Sequence, residues 1–144
     1  MAITTAMCTS FKSELLGGTH DLDTHSIKLA LIKATPTGTY GTATTNYSDV
    51  TGNSDEATGT GYTAGGQVLD SVTISTDGTT AIVDIADEVF TSSTISADGC
   101  IIYNASASNA AIAVIDFNGT KTSTNGDYTI QFPAADASNA IIRI

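Results

Sequence analysis

Apolar residues in the last third of the chain come in short runs, cut at regular intervals by Gly, Asn, Asp, Ser and Thr. The runs are Ala81–Ile85, Cys100–Tyr103, Ala110–Phe117, Tyr128–Phe132 and Ala140–Ile144. Runs this short, bounded by turn-forming residues, bury one side of a strand and then reverse, which is the pattern of a sheet-rich domain. They are too short to supply the stripe of a stable helix. The chain of 144 residues is the size of one domain, here residues 1–144, and can hold its own core. That core rests on Ile, Val, Leu and Ala, because there is no Trp and aromatics make up only 6% of the residues.

Upstream, the spacing of Ala6, Phe11, Leu15 and Leu16 predicts one short helix over 5–16, stopped by Gly17-Gly18. Ser26–Lys33 reads as a strand with Ile27, Leu29 and Leu31 on one face. Residues 34–66 are different: Thr, Gly, Asn and Asp dominate, and the sizeable side chains are Tyr40, Tyr47, Val50 and Tyr62. The segment reads as a long loop, a length that is unusual unless the loop has work to do. Val68–Ser75 and Thr79–Ala86 follow as a hairpin about Thr76-Asp77-Gly78. Ala97-Asp98-Gly99, Ser106 to Asn109, Asn118-Gly119 and Asn125-Gly126 read as further turns. Seven or eight strands and one short N-terminal helix predict a mainly β fold, a β-sandwich of jelly-roll-like or Ig-like layout.

Charge narrows the function. Five basic residues against fifteen acidic ones give a formal net charge of −10. Such a field repels phosphate backbones and anionic lipid, so neither nucleic acid nor a membrane is expected as a partner. The start of the chain has no basic segment before an apolar block, so it does not read as a secretory signal. Nor does any stretch approach the ~20 apolar residues of a membrane helix. Cys8 and Cys100 read as two reduced, buried thiols, with a bridge between them as the alternative.

The residue types that carry chemistry do not assemble into a site. His20, Asp21, Asp23 and His25 alternate imidazole and carboxylate, as a divalent metal would need, but they fall in a polar turn with no distant partner. They read as a solvated turn. Asp84 and Asp116 are mid-strand carboxylates that could pair for acid–base work, and read more simply as residues on wet faces. The glycines around Gly59-Thr60-Gly61 and Gly65-Gly66 lack the Lys and the strand-to-helix step of a phosphate loop. No catalytic residue, metal or cofactor is expected, and the chain does not read as an enzyme. The long loop is the expected binding element, because Tyr offers contact area with little entropy cost. Tyr40, Tyr47 and Tyr62, with Phe11 of the N-terminal segment, are the expected interface residues.

Four stretches go further. They are Met7-Cys8-Thr9-Ser10-Phe11-Lys12 with Glu14-Leu15-Leu16; Ile27-Lys28-Leu29-Ala30-Leu31; Gly59-Thr60-Gly61-Tyr62-Thr63-Ala64-Gly65-Gly66; and Lys121 through Pro133, ending Thr129-Ile130-Gln131-Phe132-Pro133. Through them the chain resembles small virion structural proteins of tailed bacteriophages over nearly its full length. The resemblance implies a virion component, with a capsid decoration (cement) protein as the leading expectation. A tail, neck or head-fibre component, or a carbohydrate-binding adhesin of the particle, is the alternative. It further implies partners in the major capsid protein and in copies of the chain itself, as a trimer or dimer. Its place would be the capsid exterior, after assembly in a host cytoplasm. The resemblance brings no catalytic residues.

Overall fold

The structure is a computed structural model that describes residues 2–144. It is mainly β, as the spacing of apolar runs predicts. In chain order the elements are β1 (Ala2–Ile3), β2 (Ala6–Met7), α1 (Thr9–Leu16), β3 (Ile27–Lys33), β4 (Thr39–Tyr40), α2 (Ser48–Gly52), β5 (Gly59–Thr60) and β6 (Gln67–Val68). Then come β7 (Thr73–Asp77), β8 (Thr80–Asp84), β9 (Glu88–Asn104), β10 (Ala110–Ile130) and β11 (Ile142–Arg143).

The larger sheet runs β2-β10-β9-β3-β6, with β5 also paired to β9. The smaller runs β11-β8-β7, and β1 and β4 form a separate parallel pair. Val83 and Ile142 of the small sheet, with Ile85 just past β8, belong to the same buried cluster as Leu29, Leu31, Cys100 and Ile102 of the large one. The two sheets therefore share one core, in a sandwich-like arrangement, and Phe11 of α1 is fully buried in it.

The large sheet is organised by a single hairpin of β9 and β10, 17 and 21 residues long. Its tip is the expected turn after Asn104, where Ser108 and Asn109 take positive φ. Asn118-Gly119 and Asn125-Gly126 are not hairpin turns. They sit at register shifts within β10, between Asp116 and Lys121 and between Ser123 and Gly126. Asn118, Gly119 and Asn125 have φ of +55°, +107° and +48°. The same left-handed tolerance that suits Asn-Gly to a turn lets it absorb extra residues in a bulge, which bends the strand instead of ending it. Ala97-Asp98-Gly99 likewise lies inside β9. There Asp98 accepts the Thr35 amide (2.8 Å) and the Thr120 hydroxyl (2.5 Å) across the irregularity.

The helix is shorter than the expected 5–16. Ala6 and Met7 instead pair with Val114 and Ala113 of β10, because an edge strand there satisfies backbone groups that a first helical turn would leave open. The chain stops the helix with Gly17 and then Gly18, at φ +79°; the Gly18 and Thr19 amides return to the Leu15 and Glu14 carbonyls. The expected 68–75 strand divides into β6 and β7, and Gly78 (φ +60°) opens the two-residue loop to β8. Of the final run, Ile142 and Arg143 pair with β8 as β11, and Ile144 and Ala81 exchange both backbone hydrogen bonds. Beyond Val114, β10 has β9 as its strand partner on one side only, so its outer edge is open toward the C-terminal segment.

Candidate binding surfaces

The segment 34–66 is an ordered excursion that carries β4, α2 and β5. Two consecutive acids hold it. Asp55 is fully buried. Its carboxylate accepts the Thr37 amide (3.0 Å), the Gly38 amide (2.7 Å) and the Tyr40 hydroxyl (2.6 Å), and lies 3.1 Å from Lys33 Nζ. Burial alone would raise its pKa. The Tyr40 hydroxyl, the two amides and the Lys33 ammonium outweigh burial and hold the carboxyl well below the usual carboxylate range.

Glu56, the next residue, serves the other half of the excursion. It accepts the Tyr47 hydroxyl (2.5 Å) on one oxygen, and the Tyr62 hydroxyl (2.8 Å) and Gly65 amide (2.6 Å) on the other. Tyr47 stacks on Tyr103 of β9 with centroids 4.6 Å apart and planes 9° from parallel. Tyr103 in turn donates to the Gly65 carbonyl (2.7 Å). Tyr62 receives the Leu31 amide at 3.0 Å, tying the excursion to β3. Burial, reinforced by the facing carboxylates, pushes Tyr40 up to about 12 and raises Tyr47 and Tyr62 further. Tyr103 is pushed up to about 12, by burial and then by Glu56. These phenols stay protonated and act as donors.

The expectation that Tyr40, Tyr47, Tyr62 and Phe11 form an outward interface is therefore corrected for two of them. Tyr40 is 1% exposed and Phe11 0%, so neither has surface to offer a partner. Tyr47 and Tyr62 are half-buried, with their hydroxyls committed to Glu56. A segment with almost no aliphatic residues packs with the large side chains it has, and its own acids satisfy the phenol groups.

The histidine turn is also structural. Asn104, at the end of β9, accepts the Ser106 and Ala107 amides on Oδ1. Its Nδ2 therefore faces Nδ1 of His20 (3.0 Å) and of His25 (2.9 Å). Both Nδ1 atoms are acceptors, and His20 donates from Nε2 to Glu14 (2.8 Å). Phe11 packs edge-on against the His20 ring at 4.9 Å. No residue type near His20 in sequence signals Asn104, which lies 84 positions away.

Among the described residues, no group of three or more His, Cys, Asp or Glu could hold a metal ion. Asp84 and Asp116 belong to different sheets and do not form a pair. Cys8 and Cys100 are both free and fully buried. Burial pushes Cys8 up to about 12 and Cys100 higher still. No helix among the described residues is long and apolar enough to cross a membrane.

Two concave surfaces remain. A cleft of about 490 Å³ lies along the open edge of β10, between that strand and the segment after it. A groove of about 450 Å³ lies between the turn after α1 and the small sheet, lined by Leu15, Leu22, Ile74 and Ile144. Exposed apolar side chains line the second: Ile74 is 50% exposed and Ile144 64%. Compared with protein-family models, curated proteins and solved structures, the chain matches none.

Proposed function

We propose that this chain is a non-catalytic structural protein of a tailed-phage particle, most directly a capsid decoration (cement) protein. It would act by protein–protein contact with the major capsid protein and with its own copies. The observation that carries this reading is the exposed apolar pair Ile74 and Ile144, which lines the groove beside the small sheet with Leu15 and Leu22. Large apolar side chains gathered at one concavity mark a surface that is covered in use. The sequence resemblance, over nearly the full length, supports the particle as the setting. The net charge of −10 suits a protein that must not adhere to packaged nucleic acid. The cross-tied excursion supports a rigid body, which loses little entropy on docking.

The test is occupancy on particles. Copy number on the order of hundreds per particle, as shell symmetry demands, supports decoration, whereas a handful of copies supports a tail, neck or fibre position. The double variant Ile74→Asp, Ile144→Asp should fold but fail to co-sediment with capsids. Undiminished co-sedimentation would remove this surface from the account.

A further inference from the structure

We propose that the cleft along the open edge of β10 is a binding site for a neutral carbohydrate, a hexopyranose unit of a larger glycan. This goes beyond the structural role above and does not depend on it. At about 490 Å³ the cleft falls within the usual range for small-ligand sites. Its wall combines two kinds of surface that a sugar needs together. Phe117, Tyr128 and Phe132 line it, three of the nine Phe and Tyr residues in the chain. Phe117 and Phe132 are half-buried and keep part of each ring open. An aromatic face matches the apolar C–H face of a pyranose ring.

Asp116, Asp127 and Lys121 line the same cleft. Each carboxylate is already oriented by the backbone. Asp116 Oδ1 accepts the Asn118 amide (2.8 Å), and Asp127 Oδ1 accepts the Ser92 amide (3.3 Å). In both, Oδ2 makes no hydrogen bond among the described residues, which leaves an oriented acceptor for a ligand hydroxyl. Asn118 and Ser92, the donors, both sit at positive φ in bulged stretches of the hairpin. Such bulges re-aim side chains beside binding sites. Tyr128 backs the cleft with its ring, and its hydroxyl is buried out of a ligand's reach.

Charge selects the class. Two carboxylates against one ammonium, on a chain of net charge −10, repel sialylated or uronic glycans. Hydroxyl groups are donors, and two oriented carboxylate oxygens are acceptors without an anion's penalty.

The experiment uses the full chain, labelled with ¹⁵N, titrated separately with methyl α-D-glucopyranoside, methyl α-D-mannopyranoside and methyl β-D-galactopyranoside. The same preparation is applied to an array of neutral and acidic glycans. The expected result is saturable amide shifts confined to residues 115–133 with at least one glycoside, and neutral array ligands in preference to sialylated ones. Asp127→Asn and Phe132→Ala, each with a spectrum of a folded protein, should weaken binding at least tenfold, whereas Asp23→Asn, in the turn after α1, should not change it. The inference is overturned by no binding to any glycoside or array glycan, by shifts mapping elsewhere, or by a preference for acidic glycans. It is equally overturned if Asp127→Asn binds as the parent does, or if the only shifts in the cleft follow protein concentration, which would make a second copy the occupant.

Discussion

Replacing Asp55 by Asn tests the account of the excursion most directly. The substitution keeps shape and volume but turns one acceptor oxygen into a donor NH₂. Two orientations are open to the amide, and both fail. With NH₂ at the Oδ2 position it faces the Gly38 amide and the Tyr40 hydroxyl; at the Oδ1 position it faces Lys33 and Thr37. Lys33 is 35% exposed at its side chain and can turn to water, so the second orientation is the cheaper. The remaining loss is one or two charge-assisted hydrogen bonds at a fully buried site, each worth about 1.5–3 kcal/mol. A destabilisation of about 2–3 kcal/mol follows, or roughly 6–12 °C in Tm for a chain of this size. Asp55→Ala, which leaves all the donors unpaired, should cost about 3–5 kcal/mol.

The pH dependence separates this from generic damage. The folded carboxyl is held below its unfolded value of about 3.9 by the Tyr40 hydroxyl, the amides and Lys33, against the opposing effect of burial. Its stabilisation is complete above that unfolded value and is lost as pH falls through the lower folded one. Urea denaturation between pH 7 and pH 3 should therefore show the gap between parent and Asp55→Asn constant down to about pH 5 and narrowing below about pH 4. A gap under 0.5 kcal/mol at pH 7, or one that does not narrow with acid, would refute the assignment.

Further outcomes follow from local geometry. Gly66→Ala would place a Cβ against the Leu29 carbonyl of β3 at a φ of +70°. Since the obstacle is backbone, a loss of about 4 kcal/mol or more is expected, measured as insoluble or unfolded protein. The Cys8 and Cys100 thiols, buried with raised pKa, should not react with a water-soluble disulfide reagent in the folded chain at pH 8 and should titrate as two thiols in denaturant. Tyr128→Phe removes the unpaired hydroxyl and should leave stability unchanged or raise it by about 1 kcal/mol by thermal melting.

How much of this was readable beforehand varies with the scale of the determinant. The apolar runs of β3, β9 and β10, the Gly17-Gly18 stop and the turn after Asn104 are local patterns, and each stands where its spacing places it. The turns assigned to Asn118-Gly119 and Asn125-Gly126 became bulges, because backbone tolerance for positive φ is common to both structures and only the register with β9 tells them apart. The direction of the tyrosines was hidden for another reason. Asp55 and Glu56 stand beside them in sequence and gave a usable signal: adjacent acids in a segment rich in Tyr and poor in aliphatics. Asn104, by contrast, reaches two histidines across about eighty residues, and the carboxylates of the β10 cleft are gathered by strand curvature that no periodicity encodes.

The two acids that hold the excursion are neighbours in sequence and grip opposite halves of it. Asp55 takes Thr37, Gly38 and Tyr40, while Glu56 takes Tyr47, Tyr62 and Gly65. Successive side chains along extended backbone project to alternate sides, so the grip depends on phase. Slipping the chain by one residue between 50 and 57 would hand each acid the other's donors, at the wrong reach. Spelling in this region can therefore drift at its exposed Thr and Ser sites, while its residue count is held fixed.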